Sequence, residues 1–343
     1  MIRNMRMSGR TPNGARLRGP RRRALGVAQS PVSAGTVVTS LFGASAPALF
    51  AALVIFGFAC SGGQRVVLGD QSPRQYIFGP VVAVPELASP AKTDNPTLTS
   101  DLLEIFFTSL RDPSGVSHVW SAKRASRDAP FETPTIIAEL VAPLAYETSP
   151  AISADGLTLW FASDRAGGLG ELDVWVSTRA TRSSPWSGPI NLAALNSVAK
   201  DLPRPLGQHD HVMPMASERA SAGRYQMYMA ARPPGGAFET PVTLSELATT
   251  TLNTADGFLT DDGMTLFFTE GRVSAPADLN VAWRRSTSGS FDARMSLDGL
   301  NTTDFEERDP WLSPDGSMLY FTSDRSGVLQ IYTSTVSRAG TSP

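Results

Sequence analysis

One cysteine, Cys60, is all that the 343 residues contain. An intramolecular disulfide is therefore excluded, and so is a nucleophilic thiol in the chain that follows it. That part also lacks a G-x-S-x-G elbow, an H-E-x-x-H pair and a phosphate-binding glycine loop, the spacings by which several enzyme classes place their reactive groups. Charge of one sign is missing as well: 30 Lys and Arg stand against 32 Asp and Glu, and beyond position 60 the two are interspersed. Phosphate affinity needs a basic stripe, so nucleic acid is not expected as a partner.

The N-terminus is the exception to this mixed charge. Eight arginines (Arg3, Arg6, Arg10, Arg16, Arg18, Arg21, Arg22 and Arg23) fall within the first 60 residues, and no acid occurs before Asp70. An apolar run, "LFGASAPALFAALVIFGFAC", then extends from Leu41 to Cys60 and meets the polar "SGGQ". Basic, apolar, then a small residue is the order of a secretory signal. Cys60 behind Ala59 resembles the lipobox of bacterial lipoproteins, although Gly57 and Phe58 stand where those proteins carry an aliphatic and a small residue. The resemblance implies that Cys60 is lipidated and becomes the mature N-terminus, and Ser61 in place of an aspartate resembles the signal for the outer membrane of a Gram-negative cell. A run of about 20 apolar residues also spans a bilayer, so an uncleaved anchor is the alternative. In both cases the arginines stay cytoplasmic and the rest is exported to the cell envelope. The expected organisation is a signal or anchor at 1–60, a linker at 61–76, one repeat domain at 77–338 and a tail at 339–343.

The repeat emerges when strand-like runs are aligned on their final arginine. They are "LLEIFFTSLR" to Arg111, "LTLWFASDR" to Arg165, "HVMPMASER" to Arg219, "MTLFFTEGR" to Arg272 and "SMLYFTSDR" to Arg325, at spacings of 54, 54, 53 and 53. So constant a period denotes an array of one supersecondary unit. Six and four residues before the arginine stand Ile105/Phe107, Leu159/Phe161, Met213/Met215, Leu266/Phe268 and Leu319/Phe321, which share one face of a strand. The residue between is bulky too (Phe106, Trp160, Phe267, Tyr320), with Pro214 the exception, so both faces are expected to be buried.

Upstream lies a short strand, as in "SPAISADG", "DGFLTDDG" and "DPWLSPDG", closed onto the next by an Asp-Gly turn. A third strand follows ("SHVWSAKR", "LDVWVSTR", "YQMYMAAR", "LNVAWRR", "LQIYTST"), and then a fourth segment that starts at Phe131, Trp186, Phe238 and Phe291. The last unit has no fourth segment of its own. Its missing copy is "FGPVVAVPEL" at Phe78, 53 residues before Phe131. Four-stranded units repeated radially, with an N-terminal strand completing the final one, predict an all-β fold: a five-bladed β-propeller of antiparallel blades, closed between 77–88 and 309–336.

"SPDGSMLYFTSDR" and "SADGLTLWFASDR" resemble the TolB-type, WD-repeat-like propeller motif of bacterial envelope proteins. The likeness covers most of 78–336, but TolB proteins have six blades and a separate N-terminal domain. Their partner is therefore not carried over.

Most acids belong to the repeat itself. Asp155, Asp262 and Asp315 recur one per unit at the hairpin and are expected to make turns. Arg165, Arg219 and Arg325 follow Asp164, Glu218 and Asp324 and are expected to staple loops. A further acid precedes the first strand of every unit: Asp94, Glu147, Asp201, Asp256 and Asp309, spaced 53, 54, 55 and 53. First strands line the axis of a propeller, so these carboxylates would ring one channel mouth, where a bound cation or a basic peptide segment would relieve their repulsion. The alternative is that each acid caps its own entry loop. His209 and His211, with the soft donors Met213 and Met215 nearby, outline a weak copper or zinc site. Met213 and Met215 align with core positions, however, so loop histidines and no resident cofactor are expected.

The function these features favour is a non-catalytic, monomeric envelope lipoprotein that touches the membrane through its lipid alone. Its loops or axial mouth would bind an envelope protein, a basic segment or a small ligand. The alternative is a five-bladed glycosidase of the arabinanase type, with axial carboxylates acting on polysaccharide. Catalytic acids should break the repeat, whereas these are part of it.

Overall fold

Strand follows strand from Tyr76 to Arg338 in the computed structural model, which describes residues 76–207, 209–272, 276–292 and 294–338 and has no α-helix among them. Cys60, the signal or anchor, residues 61–75 of the linker and the tail lie outside the described residues.

Two short strands open the domain, β1 (Tyr76–Phe78) and β2 (Val82–Ala83). The first blade is β3 (Thr93–Leu98), β4 (Glu104–Ser109), β5 (His118–Lys123) and β6 (Thr135–Ile136). The second is β7 (Glu147–Ile152), β8 (Thr158–Ser163), β9 (Asp173–Thr178) and β10 (Ile190–Asn191). The third is β11 (Asp201–Pro203), β12 (Val212–Ser217), β13 (Gln226–Ala231) and β14 (Val242–Thr243). The fourth is β15 (Asn253–Leu259), β16 (Thr265–Gly271), β17 (Ala277–Trp283) and β18 (Met295–Ser296). In the fifth, β19 (Glu307–Leu312), β20 (Met318–Ser323) and β21 (Gln330–Arg338) are completed by β2, with Val82 opposite Thr333 and Ala83 opposite Tyr332. Each blade is an antiparallel sheet in chain order, and β19 and β20 pack on β3, so the five blades form a closed propeller.

The closure has a part that the repeat does not announce. β21 runs nine residues, and its far end pairs with β1, Tyr76 opposite Arg338. The chain between β1 and β2 passes so close to β21 that a Cβ at Gly79 would lie 2.1 Å from Thr335 Oγ1 and oblige that hydroxyl to turn away. Outer strands are shorter than their ten-residue segments suggest. In the first two copies of the segment a one-turn 3₁₀ helix, Pro85–Leu87 and Ala138–Leu140, follows the paired residues.

Hydrophobic packing lies between blades rather than within one centre. Leu159 and Phe161 of β8 meet Phe106 of the preceding blade, while Trp160 between them faces Met213 and Met215 of the next. Phe267 likewise joins Leu319 and Phe321, and Tyr320 joins Ile105 and Phe107 across the closure. Both faces of the second strands are thus buried, as the doubled bulky positions require.

Hairpins between first and second strands use the expected chemistry. Asp155 accepts the Ser153 hydroxyl at 2.6 Å and the Leu157 N–H at 2.9 Å. Asp315 does the same for Ser313 and Ser317, and these bonds hold its carboxyl down at about 2. Gly156 and Gly316 carry the positive φ of these turns, +77° and +70°.

Candidate functional site

The five acids expected ahead of the first strands lie within them instead, because those strands begin earlier than their apolar residues indicate, and they occupy three different positions of the blade. Glu147 and Asp201 pair in register with Ser163 and Ser217, as Glu307 does with Ser323. Asp94 stands one residue further along, opposite Thr108. Asp256 and Asp309 stand two further, inside a β-bulge that interrupts the register of β15 and β19. The uneven distance to each unit's arginine, 17, 18, 18, 16 and 16 residues, already separates them in the sequence.

Glu147 and Asp201 are absorbed by staples between blades. Arg165 donates from Nε to Ser163 Oγ at 3.0 Å, and from Nη2 to the Leu140 carbonyl at 2.6 Å and to Glu147 Oε1 at 3.0 Å. Its guanidinium lies 4.8 Å from the centre of the Phe161 ring. Arg219 repeats this with Ser217, Leu195 and Asp201, and Arg325 with Ser323, Leu300 and Glu307. The acids beside these arginines serve elsewhere: Asp164 accepts the Tyr146 N–H and Asp324 the Glu306 N–H. Glu147 also meets His118 Nδ1, and burial raises its carboxyl pKa despite the hydrogen bonds and charges that oppose the rise.

In the fourth blade the staple changes hands. Glu270 replaces the serine and Thr254 the acid, and Arg294 from the outer segment forms an ion pair with Glu270 at 2.6 Å and donates to the Leu247 carbonyl at 3.2 Å. Arg272, which fits the period, is exposed instead.

The axis is built from the bulge position. Asn95, Ser149, Asp256 and Asp309 hold left-handed backbone, φ 51° to 56°, a conformation that Asn and Asp tolerate because their short side chains bond locally. In the third blade the residue is Pro203, whose ring forbids positive φ. That blade has no bulge at this point, and Arg204 follows where the others carry Pro96, Pro150, Gly257 and Pro310. Arg204, 1% exposed, places Nη1 2.5 Å from Asn95 Oδ1, 3.3 Å from Asp309 Oδ1 and 3.6 Å from Asp256 Oδ1. Asn95 in turn donates its N–H to Asp309 at 3.2 Å. One guanidinium therefore ties the first, third, fourth and fifth blades together.

One mouth of the axis opens beside this cluster as a polar recess of about 420 Å3. Asp94, Asp256 and Asp309 line it, whereas Glu147 and Asp201 do not. Lys92 bonds Asp94 Oδ2 at 2.6 Å, and its ammonium pKa is raised chiefly by that carboxylate. Asp94 Oδ1 is buried without a hydrogen-bond partner among the described residues. The Asp256 carboxyl is pushed up to about 6, first by burial and then by Asp309, with Arg204 and Arg308 pulling the other way. Tyr146, Tyr225, Asn253 and Arg308 complete the wall. Rather than a bare ring of five acids, the recess holds three of the five, with Glu306 and the chain's own cations beside them.

His209 and His211 sit at the hairpin of the third blade, at the opposite end of the axis from this recess. His209 is exposed in left-handed backbone, φ 54°, and Met213 and Met215 point into the core, fully buried. No group of three or more His, Cys, Asp or Glu fit to hold a metal ion occurs among the described residues. In the sequence, Arg204 is marked only by its break of the Pro or Gly pattern of the first strands.

No protein-family model matches the chain, and no curated protein matches it. Solved structures do. The endo-arabinase of Bacteroides thetaiotaomicron VPI-5482 aligns at 13% identity with a TM-score of 0.53, over 76% of this chain and 98% of that one. A protein of unknown function from Dyadobacter fermentans DSM 18053 aligns at 14% identity with a TM-score of 0.50, over 77% and 99%. TolB from Acinetobacter baumannii aligns at 14% identity with a TM-score of 0.44 over 74% of this chain, which spans 56% of the length of that protein. At such identities the likeness is one of fold: the chain is a five-bladed β-propeller, and a fold by itself does not carry a function.

Proposed function

We propose that the protein is a non-catalytic binding propeller of the cell envelope, which receives its ligand at the polar axial mouth. The observation that carries this reading is the Arg204 guanidinium between Asp256 and Asp309, at 3.6 and 3.3 Å. Arg204 engages both carboxylates at once, so the pair serves first to tie the third, fourth and fifth blades together at the axis. Asp94 Oδ1 offers the ligand an unsatisfied acceptor. Its partner is then a donor group: a basic or amide-bearing segment of an envelope protein, or a bound cation.

Titration of the protein with calcium, magnesium and a short lysine-bearing peptide tests the reading. Uptake that is lost in Asp94→Asn supports it, and no uptake of any of the three overturns it. Export and tethering through Cys60 belong to the same proposal. Cys60→Ser should release the protein from the membrane fraction, and persistence there would favour an uncleaved anchor.

A glycosidase is the second reading. It is favoured by the raised Asp256 carboxyl, which carries its proton closer to neutrality than an ordinary aspartate and so fits a general acid. Hydrolysis on a panel of polysaccharides, abolished by Asp256→Asn, would place this reading first.

A further inference from the structure

The other end of the axis holds a second cavity, about 380 Å3, where the hairpins between first and second strands converge. Its floor is apolar. Leu98, Ile152, Leu206, Phe258 and Trp311, from the first strands or the residues just after them, supply one residue from each blade. The Phe258 and Trp311 rings meet edge to face, with centroids 6.0 Å apart. A cavity of this size lies within the roughly 300 to 1,000 Å3 that small-molecule sites occupy.

Its rim carries three acids, Asp210, Asp261 and Asp262, against one arginine, Arg338, whose guanidinium lies 6.0 Å from the centre of the Tyr76 ring; Asp262 is occupied with its own turn, accepting the Thr260 hydroxyl and the Met264 N–H. The other two have no such duty. Asp261 receives the His209 N–H at a long 3.4 Å. Asp210 accepts the Ala154 N–H, and its carboxyl is raised, first by burial, with Asp155 and Asp261 adding to the rise and Arg232 opposing it. Neither carboxylate forms an ion pair among the described residues.

The third blade places Asp210 there by leaving the repeat. Instead of a Ser-x-Asp-Gly hairpin it has "GQHDH", and His209 and Asp210 both adopt left-handed backbone, φ 54° and 65°. At this mouth Asp210 comes from the hairpin that lacks the Asp-Gly turn, and Asp261 joins it from the fourth-blade hairpin, so the charge stands at positions the turn itself does not need.

Apolar floor and acidic rim together select the ligand. A neutral apolar body would desolvate Asp210 and Asp261 without compensation, an anion would be repelled, and a hydrated metal ion would leave the aromatic floor unused. We propose that this mouth binds a small organic cation, an aromatic or aliphatic body with a protonated amine, seated on Phe258 and Trp311 with the amine at Asp210 and Asp261. A cation held near a Trp or Phe ring gains from the ring quadrupole as well as from the carboxylates. The site is independent of the polar mouth, and either can fail alone.

Tryptamine, tryptophol and indole-3-acetate share a ring and differ in the charge of its side chain, so calorimetric titration of the full-length protein with all three isolates the charge. Tryptamine is expected to bind, tryptophol about tenfold more weakly, and indole-3-acetate not at all. The double variant Asp210→Asn, Asp261→Asn should melt as the parent does and bind tryptamine and tryptophol alike. Asp94→Asn, at the opposite mouth, should leave tryptamine binding unchanged. Equal binding of tryptamine and tryptophol by the parent, a preference that persists in the double variant, or no heat from any of the three in the millimolar range would overturn the proposal. Binding that emerges only after removal of residues 339–343 would assign the cavity to the chain's own end and overturn it as well.

Discussion

Arg204 of the third blade reaches Asp309 of the fifth, Nη1 to Oδ1 3.3 Å, with both side chains 2% exposed. The pair crosses the axis and closes it between a polar mouth and an apolar one. Removing a single partner of a buried ion pair strands the other charge, at a cost of about 3 to 5 kcal/mol. Arg204→Met should show that loss in urea unfolding at pH 7.5, and an unchanged midpoint would mean that water carries the carboxylates instead.

Asp256 gives the axis a pH dependence. Its folded-state carboxyl is raised to about 6, above the ordinary value near 3.9 for an unfolded chain, so between those two pH values the folded state binds more protons than the unfolded one. The contribution of Asp256 to stability therefore grows as pH falls from about 6 to about 4 and is lost again as pH rises through 6. Asp256→Asn should flatten that segment of the stability profile, which thermal melts across pH 4 to 8 would record.

The fourth-blade staple separates period from role. Arg272 is exposed at the polar mouth, and Arg272→Ala should change stability by no more than about 0.5 kcal/mol. Arg294 holds Glu270 and the Leu247 carbonyl, and Arg294→Ala should cost about 1 to 3 kcal/mol. The two midpoints in urea, measured side by side, test the assignment; the reverse order would refute it.

Phe161 and Phe321 are fully buried between blades. Replacing either by alanine should cost about 3 to 5 kcal/mol, since a closed ring has little room to collapse into the gap. A cost below about 1 kcal/mol would indicate that neighbouring blades can close together.

Deletion through residue 90 removes β1 and β2 and leaves β21 as a long bare edge beside the gap. The truncated chain should lose its cooperative melt or aggregate through that edge. A melting temperature equal to the parent's would show that the N-terminal strands decorate the ring rather than close it.

Much of this was legible in the order of residues alone, because a propeller repeats its local rules. Alternating bulky residues every 53 or 54 positions specify strands buried on both faces, and an outer segment missing at one end and present at the other implies closure. Asp-Gly pairs specify hairpins through chemistry confined to four residues, and they appear where expected. Such features depend on neighbours in sequence or on a period, and both are visible in one dimension.

The axis was decided elsewhere. Whether an acid near the start of a strand staples a loop or faces the channel depends on a shift of one or two residues, and a bulge makes that shift without altering the spacing between repeats by more than a residue. Glu147 and Asp309 look alike in an alignment of acids, yet a left-handed residue turns one line of side chains inward and the pairing register keeps the other between blades. Arg204 acquires its role from Pro203, whose ring forbids the bulge, and from three partners more than 50 residues away that only the closed ring brings within 4 Å. The sequence by itself determined the blades, because strand pairing and turns are local and periodic. The tertiary structure alone decided which charges meet at the centre, because that meeting requires all five blades to be in place.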